Sequence, residues 1–224
     1  LTGSYNWDYT VQDNRIKKLY ELGKKLNWNV EVDVDWTPEF KDIGTEEFDF
    51  EDTQWSKHPV YAEWDKEKKL EFIRDLNAWS TSQFLHGEQG ALLVASQLAS
   101  CAPTFNAKLY AASQTFDEAR HVEAFNKYLQ TRLKRTWPIG TALKGLLDKI
   151  LTDPRWDLKF IGMQIVIEGL ALAAFNAAKT GTSDPVLYEM LDYIIRDEAR
   201  HVTFGVNYLE EFVKTLTEQE RQDR

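Results

Sequence analysis

The chain has very little cysteine: Cys101 is alone among 224 residues, so no intrachain disulfide can form. A single thiol is usually a small buried hydrophobe, and its isolation points to a reducing compartment, here read as the cytoplasm. Positive charge is also short, with 27 Lys and Arg against 36 Asp and Glu for a net charge of −9. No segment clusters the basic residues that phosphate contacts require, which argues against a nucleic-acid partner and favours a neutral or basic one. Long apolar runs are missing too. The longest uncharged stretches, 91–102 and 169–178, fall short of the roughly 20 residues that span a bilayer, so no membrane association is expected. What remains is 43% hydrophobic and 28% charged, enough for a sizeable core and against disorder. The chain opens with Leu rather than Met and closes in a charged helical tail, as a piece of a longer protein would.

Two regions differ in pattern. Residues 1–61 mix tryptophans with acidic runs and hold one convincing helix, at about 11–26, so they read as an extension. Within it Val30, Val32, Val34 and Trp36 alternate with Glu31, Asp33 and Asp35, the period of two of a half-buried strand. Such a strand would pair with the stretch holding Phe48 and Phe50 or, the reading we favour, lie extended over the body with its apolar side down. Residues 62–224 read as a helical bundle. Four long helices are expected: about 62–102, ended by Pro103; 104–135, ended before Trp137-Pro138; 155–179, followed by Gly181; and one opened by Ser183-Asp184-Pro185. A short connector helix at 139–151 joins the second and third.

The hexapeptide Asp-Glu-Ala-Arg-His-Val occurs twice, at 117–122 and 197–202, an offset of 80 residues. At the same offset Glu88 matches Glu168, and Tyr128-Leu129 matches Tyr208-Leu209. The bundle is therefore a duplicated helical hairpin. In each hairpin both glutamates lie 15 residues from the turn, at Pro103 or Ser183. At the α-helical rise of about 1.5 Å per residue they share one height, about 22 Å from the turn. Glu118 with His121, and Glu198 with His201, are three apart and share a helical face, the apolar one. Glu168 sits among Ile, Val, Leu and Ala. Four buried carboxylates in one layer repel and are costly to desolvate, whereas two divalent cations neutralise them and neutral imidazoles complete the coordination. Carboxylate-bridged dimetal bundles use this set, one Glu from each of two helices and Glu-x-x-His from each of the others. A single Glu-x-x-His is usually a solvated helix face; two copies with matched glutamates are not. Asp117 and Asp197 precede each histidine by one turn, placed to accept its N–H. Arg120 and Arg200 could pair with these aspartates or with one another, or form ordinary surface salt bridges.

At these residues the chain resembles the ferritin-like di-iron carboxylate oxygenases and oxidases. That superfamily includes multicomponent monooxygenase hydroxylases, the ribonucleotide reductase small subunit and arylamine N-oxygenases. The resemblance covers about 65–215, and Gly87-Glu88 with the two Asp-Glu-Ala-Arg-His runs looks closest to the monooxygenase style. It implies an all-α ferritin-like bundle. It also implies that Glu88, Glu118, His121, Glu168, Glu198 and His201 hold two Fe, or Mn/Fe, and that the reduced centre activates dioxygen. Three positions depart from it. Phe125 stands where the reductase carries its radical tyrosine, Leu172 where hydroxylases commonly carry threonine, and Ile194 where the arylamine N-oxygenases carry an additional histidine.

The expected function is an O2-activating oxidoreductase acting on a small organic molecule, with an electron-donor protein as partner and a homodimer suggested by the resemblance. The alternative is ferroxidase or other iron handling; a third reading gives the metals a purely structural task. Phe84, Leu92, Thr115, Phe125, Leu172, Phe175 and Phe204 are candidates for a substrate pocket. Tyr128 and Tyr208 read either as electron relays or, preferably, as core residues with bonded hydroxyls.

Overall fold

Capping side chains set the starts of several helices. Asp13 accepts the amide of Arg15 at 2.7 Å and opens α1 (Asn14–Lys25); Asp65 accepts that of Lys68 at 2.8 Å and opens α3 (Lys66–Cys101), after the single turn α2 (Pro59–Ala62). Thr104 caps α4 (Phe105–Tyr128), which runs on into a π-helical turn, Leu129–Leu133, and stops at Lys134, whose φ of 53° is left-handed. The connector is α5 (Thr141–Thr152). A third long helix follows in three parts, α6 (Trp156–Phe160), a π-helical stretch (Ile161–Ile167) and α7 (Glu168–Gly181). Pro185 sits in the first turn of α8 (Pro185–Thr215), and a Thr217/Glu220 capping box opens α9 (Glu218–Gln222). This computed structural model describes residues 3–42 and 53–224; Phe48 and Phe50 lie outside the described residues.

Helices α3 and α4 form one hairpin and α7 and α8 the other, with α5 across α3 and α1 against α4 and α8. The hairpins are related so that the turn of one lies beside the open end of the other. One apolar cluster joins Leu98, Ala102 and Ala107 near the first turn to Phe160, Met163 and Phe204. The second joins Phe125 and Tyr128 to Phe175, Val186 and Met190 near the second turn. The polar layer lies between them.

The structure corrects several expectations. No strand forms among the described residues. Val30 and Val34 are buried and Val32 is 77% exposed, but the backbone turns helically there, with the Asp33 amide donating to Asn29 O at 2.8 Å. A spacing of four satisfies the same alternation as a period of two. Asp184 does not cap α8 with its side chain; its Oδ1 faces the Lys41 amide. Gly181 is the last residue of α7, not the one beyond it. The run Trp156–Gly181 is one continuous helix, long and apolar enough by length and composition to cross a membrane, yet it packs in the bundle with Glu168 buried at its middle.

A π-helix is wider than an α-helix, and its neighbours must give way. Two glycines provide the room: a Cβ on Gly205 would lie 2.6 Å from Gln164 Cβ, and one on Gly162 would lie 2.8 Å from Ile150 Cγ1. Because the π stretch lies beyond Glu168 from the turn, the 15-residue level match is untouched.

Lys159 is buried at 1% exposure, and its Nζ donates to Ile150 O at 2.9 Å and to Leu151 O, the last-turn carbonyls of α5. Lys159→Met keeps the apolar stem and strands both acceptors, so stability should fall by about 1–3 kcal/mol. Thermal unfolding reads this directly; an unchanged midpoint would mean the contact contributes nothing.

Candidate metal centre

Glu88 from α3, Glu118 and His121 from α4, Glu168 from α7, and Glu198 and His201 from α8 converge in the middle of the bundle, none more than 4% exposed. They resolve into two groups able to hold an ion, Glu88, Glu118, His121 and Glu198, and Glu118, Glu168, Glu198 and His201. Glu118 and Glu198 belong to both. His121 Nδ1 lies 3.0 Å from Glu88 Oε2, 3.3 Å from Glu118 Oε2 and 3.1 Å from Glu198 Oε1. His201 Nδ1 lies 3.2 Å from Glu118 Oε1, 3.6 Å from Glu168 Oε2 and 3.5 Å from Glu198 Oε2. Each shared glutamate therefore turns one oxygen to each histidine.

The donor set fits a pair of cations. Glu118 Oε2, both oxygens of Glu198 and His201 Nδ1 are buried without a hydrogen-bond partner, a costly arrangement for ordinary core and a suitable one for lone pairs aimed at metal. Burial, then the charges of Glu198 and Glu118, pushes the Glu88 and Glu168 carboxyls well above the usual range. Burial opposes the imidazolium of both histidines, but surrounding carboxylates outweigh it and raise their pKa, Asp197 and Glu118 foremost at His121, Glu118 and Glu198 at His201. Glu198 goes the other way, held low against burial by Glu168 and the histidines.

These shifts predict opposite pH responses with and without metal. The raised groups bind protons more tightly folded than unfolded, so their stabilisation is lost as pH rises, from the ordinary carboxyl value of 4.5 for Glu88 and Glu168 and from 6.5 for His121 and His201. The low-pKa groups Asp197 and Glu198 are already ionised there and contribute a constant amount. The chelator-treated protein should thus lose melting temperature between pH 6.5 and about 9, by several degrees. Metal competes with those same protons, so metal-loaded protein should hold or gain over that range. Parallel slopes in differential scanning fluorimetry would contradict this account.

Behind the histidines the two repeats cross. His121 Nε2 faces Asp197 Oδ2 at 3.4 Å and His201 Nε2 faces Asp117 Oδ2 at 3.2 Å, so each aspartate serves the histidine of the other hairpin, not the one a turn along its own helix. Arg120 bonds Asp117 and reaches Asp197 at 3.1 Å; Arg200 bonds Asp197 at 2.6 Å and Asp117 at 2.9 Å. All four are buried, which removes the surface salt-bridge reading. The extension closes this ring: Trp28 Nε1 donates to Asp197 Oδ2 at 2.7 Å, and Asn27 Oδ1 accepts from Arg120.

Three contributors escape sequence reasoning. Trp28 and Asn27 sit far from the motifs, and nothing in their spacing announces the contact. Gln114 is different. It is fully buried, and its Nε2 donates to Glu118 Oε1 and Glu168 Oε1, both at 3.0 Å. It lies one turn before Glu118 and matches Ile194 at the 80-residue offset; a lone amide in an apolar stripe is the signal that would have found it. Ile194 is fully buried among apolar neighbours and offers no ligand.

One cavity adjoins the centre, and a second opens beside the first. The first, of about 240 Å³, is lined by Glu88 and Glu168 together with Phe84 and Phe175; the larger one, about 540 Å³, shares Gln83, Phe84 and Ala174 with it. Phe125 packs on Phe84 and Phe175 without lining the smaller cavity, and Phe204 belongs to the other apolar cluster. Leu92, Thr115 and Leu172 line neither cavity. Tyr128 is buried beside Asp184, and Tyr208 packs among Trp156, Phe160 and Phe204, both as core residues.

The model of the family described as P-aminobenzoate N-oxygenase AurF matches residues 10–223, almost the whole chain. The chain belongs to the AurF family. Like the resemblance above, this places it in the ferritin-like di-iron superfamily as an O2-activating oxidoreductase with a dimetal centre. Ile194 thus marks an AurF-family member without the additional histidine. No curated protein sequence matches the chain. Solved structures share the fold. A mutant of an R2-like ligand-binding oxidase with an anaerobically reconstituted Mn/Fe cofactor superposes with a TM-score of 0.61 at 21% identity, covering 91% of this chain and 74% of that one. A mutant with a non-activated Mn/Mn cofactor gives 0.58 at 21% identity and the same coverage.

Proposed function

We propose that Glu88, Glu118, His121 and Glu198 hold one metal and Glu118, Glu168, Glu198 and His201 the other, with Glu118 and Glu198 bridging, and that the loaded centre oxygenates a small organic substrate in the adjoining cavity. The observation that carries this is the division of the two shared glutamates, one oxygen toward each histidine. Two iron ions, or Mn/Fe, supply the redox chemistry that activates O2 when bound. The chain's residues do the rest. Asp197 and Asp117 accept the Nε2 protons of His121 and His201, which leaves each Nδ1 lone pair facing the centre. Gln114 holds Glu118 and Glu168 by two donated hydrogen bonds. The apolar walls contributed by Phe84, Ala171 and Phe175 exclude water from the reacting face.

In the same reading the 62–224 bundle carries the activity, 1–61 is an extension that covers it, and electrons come from a separate donor protein. A cytoplasmic homodimer completes the picture. The test is anaerobic reconstitution with ferrous iron, elemental analysis, and admission of oxygen while optical spectra and O2 uptake are recorded. About two metals per chain with O2 consumption and a transient absorbance is the expected result. Failure to take up metal would overturn the reading, and iron far above that ratio would replace it with storage.

A further inference from the structure

We infer that Gln114, Gln164 and Tyr110 hold ordered water one turn from the metal layer, and that this water carries protons to the centre from the side away from the substrate cavity. The inference rests on the proposed oxygenation for its purpose and on buried polar atoms for its place. Oxygenation of a substrate R–H consumes two electrons and two protons for each O2 and gives R–OH and one water. The electrons come from the donor protein and the protons from solvent. The apolar walls of Phe84, Ala171 and Phe175 exclude water on the cavity side. Behind the histidines, every oxygen of Asp117 and Asp197 is already bonded to an arginine, and an arginine does not release its proton.

The remaining side is polar. Gln114 lies one turn before Glu118 and Tyr110 two turns before it, while Gln164 precedes Glu168 by four residues. Because the turn of one hairpin lies beside the open end of the other, all three fall on the same side of the metal layer, toward Pro103. Gln114 and Gln164 are fully buried and Tyr110 is 1% exposed. Gln114 spends its Nε2 on Glu118 and Glu168, which leaves its Oε1. That atom, Tyr110 Oη and both amide atoms of Gln164 find no partner among the described residues. Donors and acceptors are both present, and an internal water, which donates and accepts, makes about two to four such bonds. Packing fixes the site. The Tyr110 ring lies 4.2 Å from that of Phe204, and a Cβ on Gly205, the next residue of α8, would lie 2.6 Å from Gln164 Cβ. Tyr110 and Gln164 thus meet α8 at consecutive residues. Burial pushes the Tyr110 hydroxyl up, so it stays a donor.

The first test needs neither metal nor turnover. Gln164→Leu keeps the volume and Tyr110→Phe keeps the ring, and neither removes a hydrogen bond to a metal ligand. In chelator-treated protein each should melt a few degrees lower, because water and the remaining polar atoms lose a partner. The double variant should lose less than the sum, since both side chains serve the same water. A higher melting temperature for Gln164→Leu, the result for an amide that nothing satisfies, overturns the inference, and so do additive losses. The second test reads proton delivery. Reduced, iron-loaded full chain is mixed with O2 in H2O and in D2O, and metal content is determined on the same samples. At parental iron content Gln164→Leu should slow O2 consumption about tenfold and raise the solvent isotope effect, which a merely structural substitution leaves alone; Tyr110→Phe should do the same more weakly. An unchanged isotope effect, or loss of iron by either variant, overturns the inference and leaves the proposed function intact. A parent that takes up no metal or consumes no O2 overturns the proposed function, and the proton role falls with it.

Discussion

Glu118→Gln should leave the protein with almost no bound metal, whereas Glu88→Gln should leave about one ion per chain. The difference follows from how the carboxylates are shared. Glu118 presents Oε2 toward His121 and Oε1 toward His201, so one substitution weakens both positions, while Glu88 belongs to a single group. Glutamine preserves volume and removes the charge, so the core is not opened by a cavity. Elemental analysis after ferrous reconstitution gives the ratio, and equal losses from the two variants would reject the bridging assignment. A second readout separates ligand loss from misfolding. Without metal, the Glu118 charge raises the pKa of both histidines, so metal-free Glu118→Gln should still unfold cooperatively, at a melting temperature lowered by the loss of that support. Loss of the cooperative transition would mean misfolding instead of ligand loss.

The crossed ring of Asp117, Asp197, Arg120 and Arg200 predicts the second large effect. Two aspartates and two arginines balance to zero while buried, and each aspartate is bonded to both hairpins. Arg200→Met leaves Asp117 and Asp197 short of a counter-charge with their burial unchanged, which for a broken buried pair costs about 3–5 kcal/mol. For a chain of this size that corresponds to a melting temperature lower by about 10 °C. Arg200→Lys restores charge without the planar fork that spans two carboxylates, so it should recover only part of the loss. If both variants melt like the parent, the ring carries no net stabilisation and the hairpins are joined by apolar packing alone.

The duplication, the helix-hairpin architecture and the six converging residues were all legible in the chain, because each depends on local arithmetic. A spacing of three sets the shared face, and 15 residues to a turn sets the height. A carboxylate among aliphatic residues has few physical solutions. The helix ends were nearly right for the same reason, since prolines and capping residues act on their own backbone. The chain alone left undecided whatever depends on the separation and rotation of helices. Along the helix each aspartate lies one turn from its own histidine, yet the bundle gives each to the far one, because facing helices bring Asp197 to His121 from 76 residues away. Trp28 reaches the same aspartate across 169 residues. The π-helical stretch before Glu168 fits its neighbours where Gly205 meets Gln164 and its own Gly162 meets Ile150, a fit no single-helix periodicity records. The cavity beside Glu88 and Glu168 exists only once three helices meet. Sequence determined which side chains share a face and a level; tertiary structure decided which of them touch, since contact is set by distances between elements and spacing along a chain fixes only distances within them.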